Sequence, residues 1–466
     1  MMVEGQHTTY SLDPRRASLI RRTFIDYRQT AEFLERPIVF DRAEGLSFWD
    51  THGNRYFDAI GGIFVAILGH RHPRVVEAMH RQMEKITFAA PLHAISDATL
   101  DFIEKVGQVT PTGLDYVKPF SGGSESTESA LKFVRQYFKQ TGRPGKYKMI
   151  SRYAGYHGGT FGSMSASGTG PRKTPFEPQM PGFLKAFTPN HYREDFSDWD
   201  QCNRFAAKQV EDLIVAEDPA TVAAVIVEPV GNTGGIITPT EEYFRMLRDI
   251  CDRHAVALIF DEVITGFGRT GRMFGAQSFG VTPDVICAGK ALSSGMIPLG
   301  TMIARSDMAE AFYGEAEAGI QFAHGHTYAG NPLACAAGSA VIDEIVEHDL
   351  CAKARRLGGY LQRRLESLSS LGVVREVRGR GTLLGVELQD PDTGRPFPEG
   401  RKLGTALKHT ALDHGLILRI DPDWFAVAPA LIAEESDLDE MVGLIEAALR
   451  EALDRVTTVQ GAGDGT

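Results

Sequence analysis

Residues 256–290, VALIFDEVITGFGRTGRMFGAQSFGVTPDVICAGK, decide how the chain is read. An apolar run from Val256 to Phe260 ends in two carboxylates, Asp261 and Glu262. A second short run, Val285 to Cys287, ends in Ala288-Gly289-Lys290. Both runs have strand length and β-branched content. Ligands of open α/β sheets gather at the carboxyl ends of strands, so an acid and a lysine just past two strands are placed to face one ligand. The pair suits a pyridinium cofactor carried as a lysine Schiff base, with a carboxylate on the ring nitrogen.

The same segment carries a competing motif. Gly266-Phe267-Gly268-Arg269-Thr270-Gly271 fits G-x-G-x-x-G, the dinucleotide fingerprint. That fingerprint follows its strand at once and opens a helix with regular apolar spacing. Here Asp261 to Thr265 intervene, and the glycine-broken Arg272-Met273-Phe274-Gly275-Ala276 follows. A glycine-rich turn is the better local reading, and an NAD-dependent oxidoreductase is the remote alternative.

The segment resembles the signature of class III aminotransferases, pyridoxal-phosphate enzymes of fold type I. That pattern has an aspartate at the end of an apolar strand, a glycine-rich turn and then a lysine; here Lys290 stands 29 positions after Asp261 (290 − 261). Matching motifs recur in order from about Asp58 to Leu449, and they are most like the ω-amino acid (or amine):pyruvate subgroup. The resemblance implies an α/β fold: a large domain with a mostly parallel central sheet and helices on both faces, plus a small α+β domain built from both chain ends.

Composition bounds the alternatives. At 466 residues the chain has room for two or three domains. The net charge of −11 argues against a nucleic-acid partner, because phosphate binding needs clustered Lys and Arg. No apolar stretch reaches membrane-span length, and the N-terminus lacks the apolar core of a signal peptide. The five cysteines show no C-x-x-C spacing, which predicts reduced thiols in a cytoplasmic protein and neither a zinc site nor a disulfide framework. No metal is expected.

Periodicity divides the chain. Residues 1–75 hold polar helical patches and a hairpin around Gly53-Asn54, within Leu46 to Ala59, and form the N-terminal segment and part of the small domain. Pro73 to Ile86 has helical spacing. Over 76–335, short apolar runs such as Tyr147–Tyr153 and Val222–Val230 alternate with helices such as Glu241–His254, predicting the large cofactor-binding domain. Residues 336–458 form the C-terminal small domain: a helix over Ala336–Glu347, strands at Gly381–Leu388 and Phe425–Pro429, and a closing helix from Ser436 with Ser436 and Asp439 as a capping box. A disordered glycine-rich tail is expected over 459–466.

Site residues follow from the motifs and the resemblance. Lys290 precedes a run with little charge, and an apolar setting depresses a lysine pKa and makes it a nucleophile. The resemblance implies that Lys290 carries pyridoxal 5'-phosphate and then shuttles the substrate proton. It implies that Asp261 pairs with the ring nitrogen and that Val263 packs on one ring face. Tyr156 would stack on the other face, with His157 as a secondary site. Glu262 is left without a role. Gly123 and Ser124 open a helix whose apolar face is Leu131, Val134 and Phe138, and such an N-terminus receives a phosphate. Gly122 stands where the family has a serine. Glu228, in Val-Glu-Pro-Val, matches a family glutamate near the cofactor. Thr327 matches the threonine that reaches the phosphate of the neighbouring subunit, implying a homodimer or dimer of dimers with shared sites. His324 and His326 read as part of a turn. Phe64 falls at a substrate-pocket aromatic, and Arg419 aligns with a mobile arginine that meets a carboxylate bidentately. Thr233 stands where aminotransferases of the 4-aminobutyrate and ornithine kind carry a glutamate.

The function this predicts is ping-pong transfer of an amino group from a primary amine or ω-amino acid to a 2-oxo acid, with pyruvate as the expected acceptor. An aminomutase, racemase or decarboxylating transaminase would reuse Lys290 and Asp261.

Overall fold

The computed structural model of the chain describes residues 10–190, 196 and 198–461. Its centre is a seven-stranded sheet in the spatial order Leu114–Phe120, Gly300–Arg305, Val285–Ala288, Ala257–Asp261, Val222–Val227, Lys148–Arg152 and Phe183–Ala186. Only Gly300–Arg305 runs antiparallel to its neighbours; the other pairings are parallel. A sheet covered on both faces has apolar residues throughout its strands, and Val222–Val227, VAAVIV, is buried at every position. Successive residues serve opposite cores. Leu258, Phe260 and Ile286 belong to one, and Ile259, Val285 and Cys287 to the other.

Helices return the chain between these strands. Thr240 caps Glu241–Arg253 by accepting the Tyr243 N–H, and Phe244, Leu247 and Cys251 form its buried face. Gly123–Gln140 buries Leu131, Val134 and Phe138 as its spacing predicts. The predicted helix from Ala336 begins earlier, at Pro332, where Asn331 caps it and proline occupies its first position.

Both chain ends build the smaller part. Phe40–Glu44, Ser47–Asp50 and Arg55–Asp58 form an antiparallel meander, and Leu416–Ile417 joins it in parallel beside Arg55–Asp58. Within three residues the chain enters a second sheet through Arg419–Asp421, which pairs with Trp424–Val427 and, beyond that, with Leu383–Leu388 and Val374–Arg380. The switch between two sheets fixes where Arg419 stands.

The closing helix runs Glu435–Gly461, one residue earlier than predicted and past the expected start of the tail at 459. Its capping also differs. The Asp437 carboxylate accepts the Glu434 N–H at 2.8 Å, so Ser436 lies inside the first turn and is not the cap. Residues 462–466 of the expected tail lie outside the described residues. Among the described residues no helix is long and apolar enough to cross a membrane.

Candidate active site

Four adjacent strands, Lys148–Arg152, Val222–Val227, Ala257–Asp261 and Val285–Ala288, point the same way, so their carboxyl ends share one edge of the sheet. The segments leaving that edge carry Tyr156 and His157, Glu228, Asp261 and Lys290. All five line one cavity of about 370 Å³.

Asp261 is the last residue of its strand. Its Oδ2 lies 2.8 Å from His157 Nδ1, and its Oδ1 accepts the Val263 N–H at 3.1 Å. The His157 backbone N–H donates to Ser167 Oγ at 2.8 Å, which fixes the ring's approach. Glu228 holds the loop beside it: Oε1 accepts the Tyr156 N–H and Oε2 the Asn232 N–H, each at 3.1 Å. Burial, reinforced by the charge of Asp261, pushes the Glu228 carboxyl up, while His157 opposes the shift.

Lys290 keeps part of its surface open to the cavity. Burial nevertheless lowers its amine from the usual lysine range; Asp261 and Glu228 pull it back up, and Arg172 pushes it further down. The residue sits at φ 41°, after an extended Gly289. A Cβ on Gly289 would lie 3.3 Å from Gly123 N, so the missing side chain lets the lysine's strand end meet the helix Gly123–Gln140. Gly123 and Ser124 of that helix N-terminus line the cavity, and Ser124 Oγ accepts the Gly159 N–H at 3.1 Å. Oriented N–H groups and the helix dipole make this end attractive to an anion.

The side walls are Val263 and Tyr156. Phe64 also lines the cavity, in a turn bent by Gly61 and Gly62 at φ 59° and 69°. Arg419 reaches the cavity with a partner that the sequence reading did not foresee: its Nη2 lies 2.6 Å from Asp421 Oδ2. Thr327 is exposed and outside the cavity lining. His324 and His326 lie 3.2 Å apart through their Nε2 atoms, with Ser129 and Lys132 against His324. Among the described residues no group of three or more His, Cys, Asp or Glu could hold a metal ion.

Among the lining residues that escaped the sequence reading are Tyr27, Arg172 and Asn232, the polar ones. Tyr27 and Arg172 belong to segments with no apolar period or motif, and only folding brings them to the site. Asn232 follows Glu228 closely, and its buried Oδ1 has no hydrogen-bond partner. Glu262 also has a place. Its carboxylate accepts the Gly275 N–H at 2.5 Å, the Ala276 N–H at 2.7 Å and the Thr265 hydroxyl at 2.8 Å. It therefore ties down the glycine-rich turn after Asp261. That turn closes around Arg269, fully buried, which donates to the carbonyls of Ala428 and Pro429 at 3.0 and 2.6 Å. No helix opens at Gly271; the fingerprint-like glycines let the turn pack closely, Gly268 against Leu431 and Gly271 against Arg355. Thr233 follows Asn232 but is not itself in the cavity lining; its hydroxyl donates to the Ala154 carbonyl and lies 3.2 Å from Thr169 Oγ1.

A sheet edge with lysine, aspartate and a helix N-terminus around one cavity is the arrangement of fold type I transaminases. The family model for class-III aminotransferases matches residues 29–449, starting earlier than the motifs alone suggested, and the chain belongs to that family. It is 34% identical over 438 residues to an omega-aminotransferase of Caulobacter vibrioides, covering 91% of this chain and 96% of that protein. A putrescine–pyruvate aminotransferase of Pseudomonas aeruginosa is 32% identical over 425 residues, 90% of this chain and 92% of that one. The crystal structure of an (S)-enantioselective omega-transaminase from Thermomicrobium roseum superposes with a TM-score of 0.89 at 34% identity, over 95% of this chain and 100% of that one.

Proposed function

We propose that this aminotransferase binds pyridoxal 5'-phosphate in the cavity and moves an amino group from a primary amine or ω-amino acid to pyruvate in two half-reactions. The observation that carries the reading is the convergence of Lys290, Asp261 and the N-terminus at Gly123 on one cavity. The residues present fit the cofactor. A Cβ on Gly123 would lie 2.8 Å from Val263 Cγ1, and one on Gly158 would lie 2.5 Å from Ser163 Oγ. Neither Cβ could be accommodated beside these side chains, and Gly123, Ser124 and Gly158 all line the cavity, where the helix N-terminus can receive a phosphate.

When bound, the cofactor supplies an electron sink for the bond broken at the substrate carbon. Lys290 would hold it covalently through Nζ and afterwards carry the substrate proton on the same nitrogen. The lowered pKa leaves that amine ready as a nucleophile. Asp261 would keep the ring nitrogen protonated, with His157 bracing its Oδ2. Tyr156 and Val263 would enclose the ring, and Gly123 and Ser124 would receive the phosphate. Thr327 would reach the phosphate of a neighbouring subunit, making the active unit a homodimer. Its exposure, beside the edge-to-face pair Phe88 and Tyr328, supports that role.

Arg419 would clamp the acceptor carboxylate, exchanging Asp421 for it. Pyruvate is favoured over 2-oxoglutarate because Thr233 stands where a substrate-arginine partner would be needed, and the name of the Pseudomonas relative supports the same acceptor. The test is incubation of the purified protein with an amine donor and pyruvate, scored for alanine. Arg419→Ala should raise the KM for pyruvate at least tenfold, about the worth of a charged hydrogen-bonded pair, and spare the half-reaction with a carboxylate-free amine. Absence of alanine, or equal loss in both half-reactions, overturns the respective assignment.

A further inference from the structure

Among the described residues two guanidinium groups, Arg172 and Arg419, line the cavity, and they are not equivalent. Arg419 already has a carboxylate, Asp421, at 2.6 Å. Arg172 has none among the described residues. It sits at the end of the short turn Gly170–Arg172, which the Thr169 hydroxyl ties to Gly155 O at 3.2 Å. Its guanidinium carbon lies 4.4 Å from the centroid of the Tyr27 ring and 4.8 Å from that of Tyr156. The two tyrosine hydroxyls are 3.1 Å apart, so the rings form a joined aromatic wall behind the cation. Arg172 also donates to the Tyr156 hydroxyl, but ring faces hold a guanidinium in place without occupying its remaining N–H donors. A cation oriented by its flat faces, with no anion of its own and bordering the ligand cavity, is a ready-made acceptor site for a carboxylate.

We propose that Arg172 is a second carboxylate anchor, separate from Arg419, which selects substrates carrying a carboxylate remote from the reacting amine. The inference rests on the aminotransferase reading above. Its physical basis is the difference in cost between the two arginines. A substrate carboxylate at Arg419 competes with Asp421, whereas one at Arg172 meets donors that no carboxylate of the described residues holds and a side chain already ordered against two rings. The charge of Arg172 is also felt across the cavity, where it depresses both Lys290 and Arg419. A bound carboxylate would relieve that repulsion, which adds to the selectivity. An amine with a methyl group in place of the carboxylate gains neither term.

The test uses the cofactor-loaded enzyme and a series of ω-amino acids from 3-aminopropanoate to 6-aminohexanoate. Each is paired with the amine in which methyl replaces the carboxylate. The donor half-reaction is followed by cofactor absorbance in wild type, Arg172→Gln, Arg172→Lys and Arg419→Ala. Arg172→Gln should lower kcat/KM for the best ω-amino acid roughly 10- to 100-fold, the worth of a charge-assisted hydrogen bond, and leave its amine twin within about threefold. Arg172→Lys should recover part of the loss, because the charge returns without the planar fork. Inhibition by a saturated monocarboxylate, which undergoes no reaction, should weaken in step. Equal losses with amino acid and amine would make Arg172 a mere support for Tyr156, and no loss, or loss confined to Arg419→Ala, would assign the carboxylate elsewhere; each overturns the proposal. Alanine formation from a carboxylate-free amine in wild type tests the aminotransferase reading independently of all these outcomes.

Discussion

His157, Glu228 and Asp261 on the cavity floor are 3, 5 and 5% exposed, whereas Tyr27 and Ile63 at the rim are 69 and 61% exposed. The floor residues leave adjacent strands of one sheet and hydrogen-bond to one another or to nearby backbone. The rim draws on the N-terminal segment, the turn ending at Arg172 and the switch between two C-terminal sheets at Arg419. A floor fixed by strand ends can hold a cofactor in one geometry. A rim assembled from separate segments can change without disturbing the sheet, so in the proposed function the chemistry and the choice of substrate would fall to different parts of the fold.

The largest effect expected from breaking the floor is at Lys290. Lys290→Ala should abolish turnover and the borohydride-reducible link between cofactor and protein, because among the described residues no other lysine lines the cavity. A variant that kept both would remove the covalent role from Lys290. Asp261→Asn comes next. It should still bind cofactor but slow proton transfer by roughly two or more orders of magnitude, since the ring nitrogen loses its charge partner. Single-turnover absorbance with an amine donor reads this directly, and wild-type rates in both half-reactions would make the carboxylate structural only.

The same division explains what could be read from the sequence. Lys290, Asp261 and Glu228 were legible because strand ends are written as apolar runs that stop, and function attaches at the stop. Gly123 and Ser124 were legible because a helix start has its own residue preferences. Tyr27 and Arg172 were not, since neither lies on a periodic element and their approach to Tyr156 depends on tertiary packing. The Asp421 partner of Arg419 stands two residues away along a strand, so both side chains share a face, yet only the bend between sheets turns that face to the cavity. Glu262 was passed over because a second acid after a strand has no distinct pattern; its three donors come from residues 3, 13 and 14 positions later.

Glu262 offers a test of the floor's support rather than of its chemistry. Burial pushes its carboxyl up to about 7, against the pull of its backbone and hydroxyl donors. At pH 8 the carboxylate is ionised and accepts all three. Glu262→Gln turns one acceptor into a donor facing N–H groups, at a cost of about 1–3 kcal/mol for a buried mismatched group. The midpoint of thermal unfolding at pH 8 should fall, measured with cofactor present. An unchanged midpoint would mean that the glycine-rich turn is held by Arg269 alone.

The smallest effect measures how strongly rim and floor are coupled. In the apoprotein the Lys290 amine is depressed by burial, raised by Asp261 and lowered by Arg172. Removing each charge should therefore move the titration in opposite directions. Asp261→Asn deletes a neighbour that stabilises the ammonium form, so the amine becomes neutral at lower pH. Arg172→Gln deletes a like charge, so the ammonium form persists to higher pH. Reductive methylation at a fixed pH below the wild-type midpoint, quantified on the peptide that contains Lys290, should run faster than wild type in Asp261→Asn and slower in Arg172→Gln. Raising the ionic strength should shrink the Arg172 effect more than the Asp261 effect, because the rim is open to ions and the floor is not. Shifts of the same sign would show that the variants act by altering burial, and no shift in Arg172→Gln would show that the rim's charge does not reach the floor.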